Sequence, residues 1–142
     1  MKPSLDKETI LVRMSGIQEE VAQLQLLGQE PFDSFSKGVG FKLAQYHLHR
    51  ALEGVFHVAS HILARLPGGA RTGTYKELAF ALGEKGIVPQ DFASQKLVKM
   101  AGFRNRLVHF YAQITPKEIY NLLNNDLGDF EIFLSSIKKI LP

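Results

Sequence analysis

The chain has no cysteine, which removes disulfides and any thiolate site together. It also lacks a run approaching ~20 uninterrupted apolar residues, the length a membrane-spanning helix needs. The opening Met1-Lys2-Pro3-Ser4-Leu5-Asp6-Lys7-Glu8 has neither an apolar stretch nor a small-residue cleavage pattern, so a cytoplasmic location is the expectation. Alternating β-branched runs are few, and internal repeats and low-complexity tracts are missing. Charge of one sign is scarce too: the formal net charge is only +3, which permits a nucleic-acid partner without arguing for one. What remains is the balance of a globular protein, with 45% hydrophobic and 22% charged residues over 142 positions. That length suits one domain, residues 1–142, with a single core.

Helical periodicity supplies the architecture. Ile10, Met14, Ile17, Val21 and Leu24 alternate in steps of four and three, predicting a first helix from about Asp6 to Leu27. The stretch from Gln29 to Gly40 holds a proline, two glycines and two serines and reads as a connection or a broken helix start. From Phe41 the period returns through Ala44, Leu48, Ala51, Val55, Ala59, Ile62 and Leu66, a central strut of roughly 25 residues and ~37 Å. Leu66-Pro67-Gly68-Gly69 ends it in a loop. Thr74 with Glu77 forms a capping-box start for a short helix that Gly86 closes. Pro89 opens a fourth helix, about 90 to 112. Thr115-Pro116-Lys117-Glu118 starts a last one with Ile119, Leu123, Phe130, Phe133, Ile137 and Leu141 on its apolar side. An all-α antiparallel bundle of about five helices follows.

Within the fourth helix, Gly102-Phe103-Arg104-Asn105-Arg106-Leu107-Val108-His109-Phe110-Tyr111 sets cations, an amide, an imidazole and a phenol among apolar residues. These groups suit phosphodiester cleavage. A metal-free ribonuclease drives the 2′-hydroxyl onto the neighbouring phosphorus, leaving a 2′,3′-cyclic phosphate, and needs proton carriers and a cation for the phosphoryl oxygens. His109 suits the proton work, worth typically about 10²- to 10⁴-fold. Arg104 suits the phosphate, since its planar fork binds two oxygens and keeps its charge. Asn105, one turn before His109, has an amide able to orient the imidazole or bind substrate. Neither a metal nor a cofactor is called for.

Five helical positions subtend about 500°, leaving Arg104 and His109 roughly 140° apart. Three arrangements answer this: an irregularity near Gly102, the reach of the arginine stem, or completion of the site by a second subunit. A two-fold dimer would also supply both an acid and a base.

The form Arg104-Asn105-x-Leu107-Val108-His109-x-Tyr111, set among these helices, resembles the HEPN ribonuclease signature. More narrowly it resembles the HepT toxins, which are partnered by small nucleotidyltransferase antitoxins called MntA; the resemblance takes in nearly the whole chain. It implies a HEPN-like bundle, a metal-independent RNA endonuclease acting as a toxin, a composite cleft at a homodimer interface, and a cognate MntA-like partner. It also implies that Tyr111 receives AMP from that partner, adding phosphate charge and bulk beside the groups that receive substrate. HepT relatives often carry an acidic residue near the position of His57, and this chain is expected to depart from them there.

Other features are weaker. His57 and His61 have the four-residue spacing that lets two imidazoles share a metal, but with no third ligand in sight a structural or substrate-facing role is the better reading. The segment Gly68 to Lys76 lacks the ending and the preceding strand of a phosphate-binding loop. Arg71, Lys76, Lys96, Lys99 and Arg106 are the basic residues able to contact RNA backbone, although a solvated basic face is the commoner outcome. Phe103 and Phe110 fit core or interface packing better than base stacking. Tyr111 alone reads equally well as a packing residue with a wet hydroxyl. The competing function is a catalytically silent helical module that binds nucleotide and partners a nucleotidyltransferase; such a module has no need of His109.

Overall fold

The structure is a computed structural model that describes residues 5–68, 73–109 and 113–142. Among them lie eight α-helices, one π-helical turn and no strand. The first helix, α1 (Lys7–Gly28), starts at Asp6, whose Oδ1 accepts the Thr9 amide at 3.1 Å and so satisfies a donor the helix cannot. Its buried positions include the predicted Ile10, Met14, Ile17, Val21 and Leu24. The broken stretch that follows contains a single short helix, α2 (Phe32–Lys37), pinned by fully buried Phe35.

The central strut is α3 (Gly40–Ala64), 25 residues long and buried along a broad face from Ala44 to Leu63. It packs on α1, α2, α4, α6 and α7, with α1 its principal neighbour. That pairing depends on Gly54. A Cβ there would lie 2.7 Å from Ile17 Cγ1, so only a hydrogen lets the two helices approach this closely.

Thr74 caps α4 (Tyr75–Glu84) through the Glu77 amide at 3.2 Å, as the sequence motif predicts. Gly86 closes it with a left-handed φ of 72°, a conformation that side chains resist. The predicted fourth helix is three pieces: α5 (Gln90–Phe92), a π turn (Ala93–Leu97) and α6 (Val98–Val108). The π turn keeps both Phe92 and Leu97, five residues apart, in the core. The helix ends at Val108, short of the expected residue 112, and His109 leaves it in extended geometry with φ −98° and ψ 102°.

The expected last helix is also divided, into α7 (Pro116–Asn125) and α8 (Gly128–Ile140). Asn124 and Asn125 bond back to the carbonyls of Tyr120 and Asn121 at 2.9 and 2.8 Å, and Asp126 terminates α7. Such short polar side chains compete with the helix ladder. Phe130, Phe133 and Ile137 of α8 then enter the same hydrophobic cluster as α1 and α3, while Leu141 stays at its edge.

Candidate active site

Arg104 projects from α6 toward α3, where its Nε donates to Glu53 Oε1. Glu53 Oε2 accepts the Tyr75 hydroxyl from the start of α4 at 3.1 Å. The Arg104 guanidinium lies over the Tyr75 ring, 4.4 Å from its centroid, and that ring stacks in turn on Phe56 at 4.7 Å and 17°. Three helices therefore meet on one arginine. Its Nη1 donates to Asn105 Oδ1 at 3.3 Å, so the described bonds occupy the inner edge and one outer proton. The rest of the fork remains for a planar oxyanion, the geometry Arg is suited to.

Around Glu53 stand two imidazoles one turn to either side on α3. The Nε2 atoms of His49 and His57 each lie 3.6 Å from its carboxylate. His57 Nδ1 meets Arg13 Nη1 of α1 at 3.2 Å. Arginine can only donate, so Nδ1 accepts and the ring proton resides on Nε2, facing Glu53. Burial alone would push the Glu53 carboxyl up, but the Arg104 bond and charge, with Tyr75 and His49 added, hold it below the usual range. Burial and then the Glu53 charge push the Tyr75 hydroxyl the opposite way, so it stays a donor at neutral pH.

His109 is exposed at the end of α6, its amide still bonded to the Asn105 carbonyl at 3.2 Å. Having left the helix, it is not bound by the separation an unbroken helix would impose on Arg104 and His109. Of the three arrangements the sequence left open, the local irregularity takes the form of this termination after Val108; the π turn at Ala93–Leu97 precedes both residues and leaves their relative angle unchanged. Asn105 turns its amide oxygen to Arg104.

Arg106 is committed elsewhere. Its guanidinium grips Glu118 in the first turn of α7, with Nη2 to Oε1 at 2.9 Å, and Nη2 donates to the Gln113 carbonyl at 2.7 Å. It therefore stitches the two ends of the segment carrying His109. Lys96 and Lys99 line a hollow of about 190 Å³ floored by Leu48, Leu52 and Phe130 and rimmed by Asp129, a different neighbourhood from the Arg104 cluster. Lys76 reaches the motif: a Cβ at Gly102 would lie 3.5 Å from its Cε. Arg71, Phe110 and Tyr111 lie outside the described residues. His57 and His61 diverge, His57 toward Glu53 and Arg13, while His61 Nε2 is buried without a hydrogen-bond partner. Burial holds the His61 imidazole below its ordinary pKa.

A family model described as "Ribonuclease HepT-like" matches residues 17–137. The chain belongs to this family. A curated relative of the HepT-like ribonucleases, the tRNA nuclease HepT of Aphanizomenon flos-aquae (strain 2012/KM1/D3), is 28% identical over 89 residues, 63% of this chain and 59% of the relative. The alignment thus spans under two thirds of that relative's length. The HepT-like fold is also that of a tri-AMPylated Shewanella oneidensis HEPN toxin in complex with an MNT antitoxin, with a TM-score of 0.82, 21% identity, and 92% of this chain and 96% of that one covered. YutE, a cytosolic protein of unknown function from Bacillus subtilis, superposes with a TM-score of 0.79 at 18% identity, covering 98% and 92%.

One expectation about the HepT-like site is corrected. An acidic residue does stand near His57: Glu53, four residues earlier on α3. Sequence reasoning passed over it and over Tyr75, because each lies far along the chain from Arg104, which is 51 residues beyond Glu53. The available signal was the spacing His49, Glu53, His57, which lines three polar groups along one face of an otherwise apolar strut.

Proposed function

We propose that this chain is a metal-independent RNA endonuclease acting as the toxin of a HepT/MntA-type pair, with Arg104 as the phosphate-binding cation and His109 as a proton carrier. The observation that carries the reading is the state of Arg104. Glu53, Tyr75 and Asn105 hold it, yet the rest of its fork stays available for an oxyanion, in a chain of the HepT-like ribonuclease family. The described part of the molecule has no helix long and apolar enough to cross a membrane.

The cleavage step is transphosphorylation. The 2′-oxygen loses its proton and bonds phosphorus as the 5′-oxygen leaves with a proton, giving a 2′,3′-cyclic phosphate. Arg104 neutralises the charge that gathers on the phosphoryl oxygens. A homodimer brings a second motif to the cleft, so that one His109 acts as base and its counterpart as acid. Lys76 and Arg71 bind RNA backbone, and Asn105 steadies the arginine.

Silencing is by AMP transfer to Tyr111 from an MntA-like nucleotidyltransferase. The tri-AMPylated state of the Shewanella toxin in its antitoxin complex supports both the partner and the modification. Two positions beyond His109, an appended nucleotide reaches the cleft, and its phosphodiester competes for Arg104.

Mixing subunits tests the shared site. A dimer of one wild-type and one His109→Ala subunit, formed by unfolding and refolding the two together, keeps a single histidine for the shared cleft and should cleave at least ~10²-fold more slowly than the wild-type dimer. Half or more of wild-type cleavage from that verified mixed dimer, or full activity from a wild-type monomer, would sink the composite cleft.

A further inference from the structure

We propose that Tyr75 is a positioning residue for Arg104: its ring is the platform over which the guanidinium is held, with the free part of its fork left for the phosphate. This rests on the reading of Arg104 as the phosphate-binding cation. The need for a platform is geometric. The bonds from Nε to Glu53 and from Nη1 to Asn105 Oδ1, the latter at 3.3 Å, hold the guanidinium by its edges but put nothing against its faces, so the plane can still tilt. A ring face 4.4 Å from Cζ removes this freedom, because the cation is held against the electron-rich face.

The platform is itself rigid. Tyr75 stacks on Phe56, which has no exposed surface. Its hydroxyl donates to the second oxygen of the same Glu53 that holds Arg104, closing a triangle of three side chains from α3, α4 and α6. Its backbone is the first residue of α4, directly after the Thr74 cap. The two histidines near Glu53 do not share this role, standing 3.6 Å from the carboxylate without covering the arginine. A tyrosine that merely packed its ring and satisfied its hydroxyl would affect stability alone. A positioning tyrosine must also set the orientation and anion affinity of Arg104.

The test uses full-length protein labelled with ¹⁵N-arginine. The Arg104 Nε–Hε signal is identified by its loss in Arg104→Lys, and inorganic phosphate is the titrant. In wild type the Arg104 side-chain protons should be shielded by the ring relative to free arginine and should shift as phosphate binds. Tyr75→Phe keeps the ring and should retain the shielding, weakening phosphate by less than about threefold. Tyr75→Leu removes the ring; its shielding should vanish and phosphate affinity should fall roughly three- to tenfold, the range expected for one cation–ring contact. With RNA as substrate, Tyr75→Leu should lower kcat more than it raises KM. Absence of shielding in wild type, loss of shielding in Tyr75→Phe, or unchanged phosphate affinity in a folded Tyr75→Leu protein would each overturn the proposal. The wild-type and Tyr75→Phe spectra decide it even if the leucine variant does not fold. A wild-type protein that binds phosphate at Arg104 but cleaves no RNA would reject the nuclease reading and leave the role of Tyr75 intact.

Discussion

Replacing Glu53 by Gln removes one charge while preserving shape and an acceptor for the Tyr75 hydroxyl. The loss should fall on Arg104. Side-chain exposures of 22% for Glu53 and 26% for Arg104 place this pair between two regimes. Exposed pairs contribute ~0–1 kcal/mol, whereas breaking a buried one costs ~3–5 kcal/mol. We expect about 1.5 kcal/mol, and for a chain of this size roughly 3 °C per kcal/mol, so a fall in Tm of about 5 °C. The pH dependence carries a definite sign. A carboxylate whose folded pKa is depressed contributes stability that is fully present above its unfolded value of about 4.3 and is lost as pH falls through the lower folded value. The Tm gap between wild type and Glu53→Gln should therefore be full near neutrality and close progressively below about pH 4. In RNA cleavage the same change should cost about 10- to 10²-fold in kcat, since small misplacements of a catalytic cation are that costly. Combining Glu53→Gln with Arg104→Lys should give less than the sum of the two effects. A variant with wild-type Tm and kcat, or full additivity with Arg104→Lys, would refute the claim that Glu53 holds the arginine.

Two further outcomes follow from packing and modification. Gly54→Ala drives a Cβ to 2.7 Å from Ile17 Cγ1 and should destabilise by ~1–3 kcal/mol in thermal unfolding; adding Ile17→Ala, which deletes that atom, should cost less than the two changes summed. Incubation with a cognate nucleotidyltransferase and ATP should add one or more adenylyl groups to wild type and abolish RNA cleavage, while Tyr111→Phe should gain none by intact mass and keep cleaving.

The helices were legible in sequence where one periodic signal carried them. Five of the six buried positions of α1 and the Thr74 and Thr115 caps stand where spacing and capping chemistry predict. The π turn was not, because it follows from fitting Phe92 and Leu97 into one core and leaves no proline or glycine as a mark. The break between α7 and α8 had a readable cause in Asn124-Asn125-Asp126, overridden in the reading by the continuing apolar period. At the site, Arg104, Asn105 and His109 announced themselves through local spacing. Their supports did not: Glu53 and Tyr75 acquire meaning only when α3 and α4 bring them to Arg104, and in sequence each resembles an ordinary solvated charge or a packing ring. Arg106 likewise takes its partner, Glu118, from twelve residues on, which its place in the motif did not announce.

The central claim is that Arg104 and His109 cleave RNA without a metal ion. Purified protein incubated with a defined RNA in excess EDTA tests it most directly, with product ends read by mass spectrometry and His109→Ala run beside wild type. The account predicts cleavage that leaves 2′,3′-cyclic phosphate and 5′-hydroxyl ends, reduced at least ~10²-fold in His109→Ala. Activity lost in EDTA and restored by Mn²⁺, or equal cleavage by His109→Ala, would contradict it.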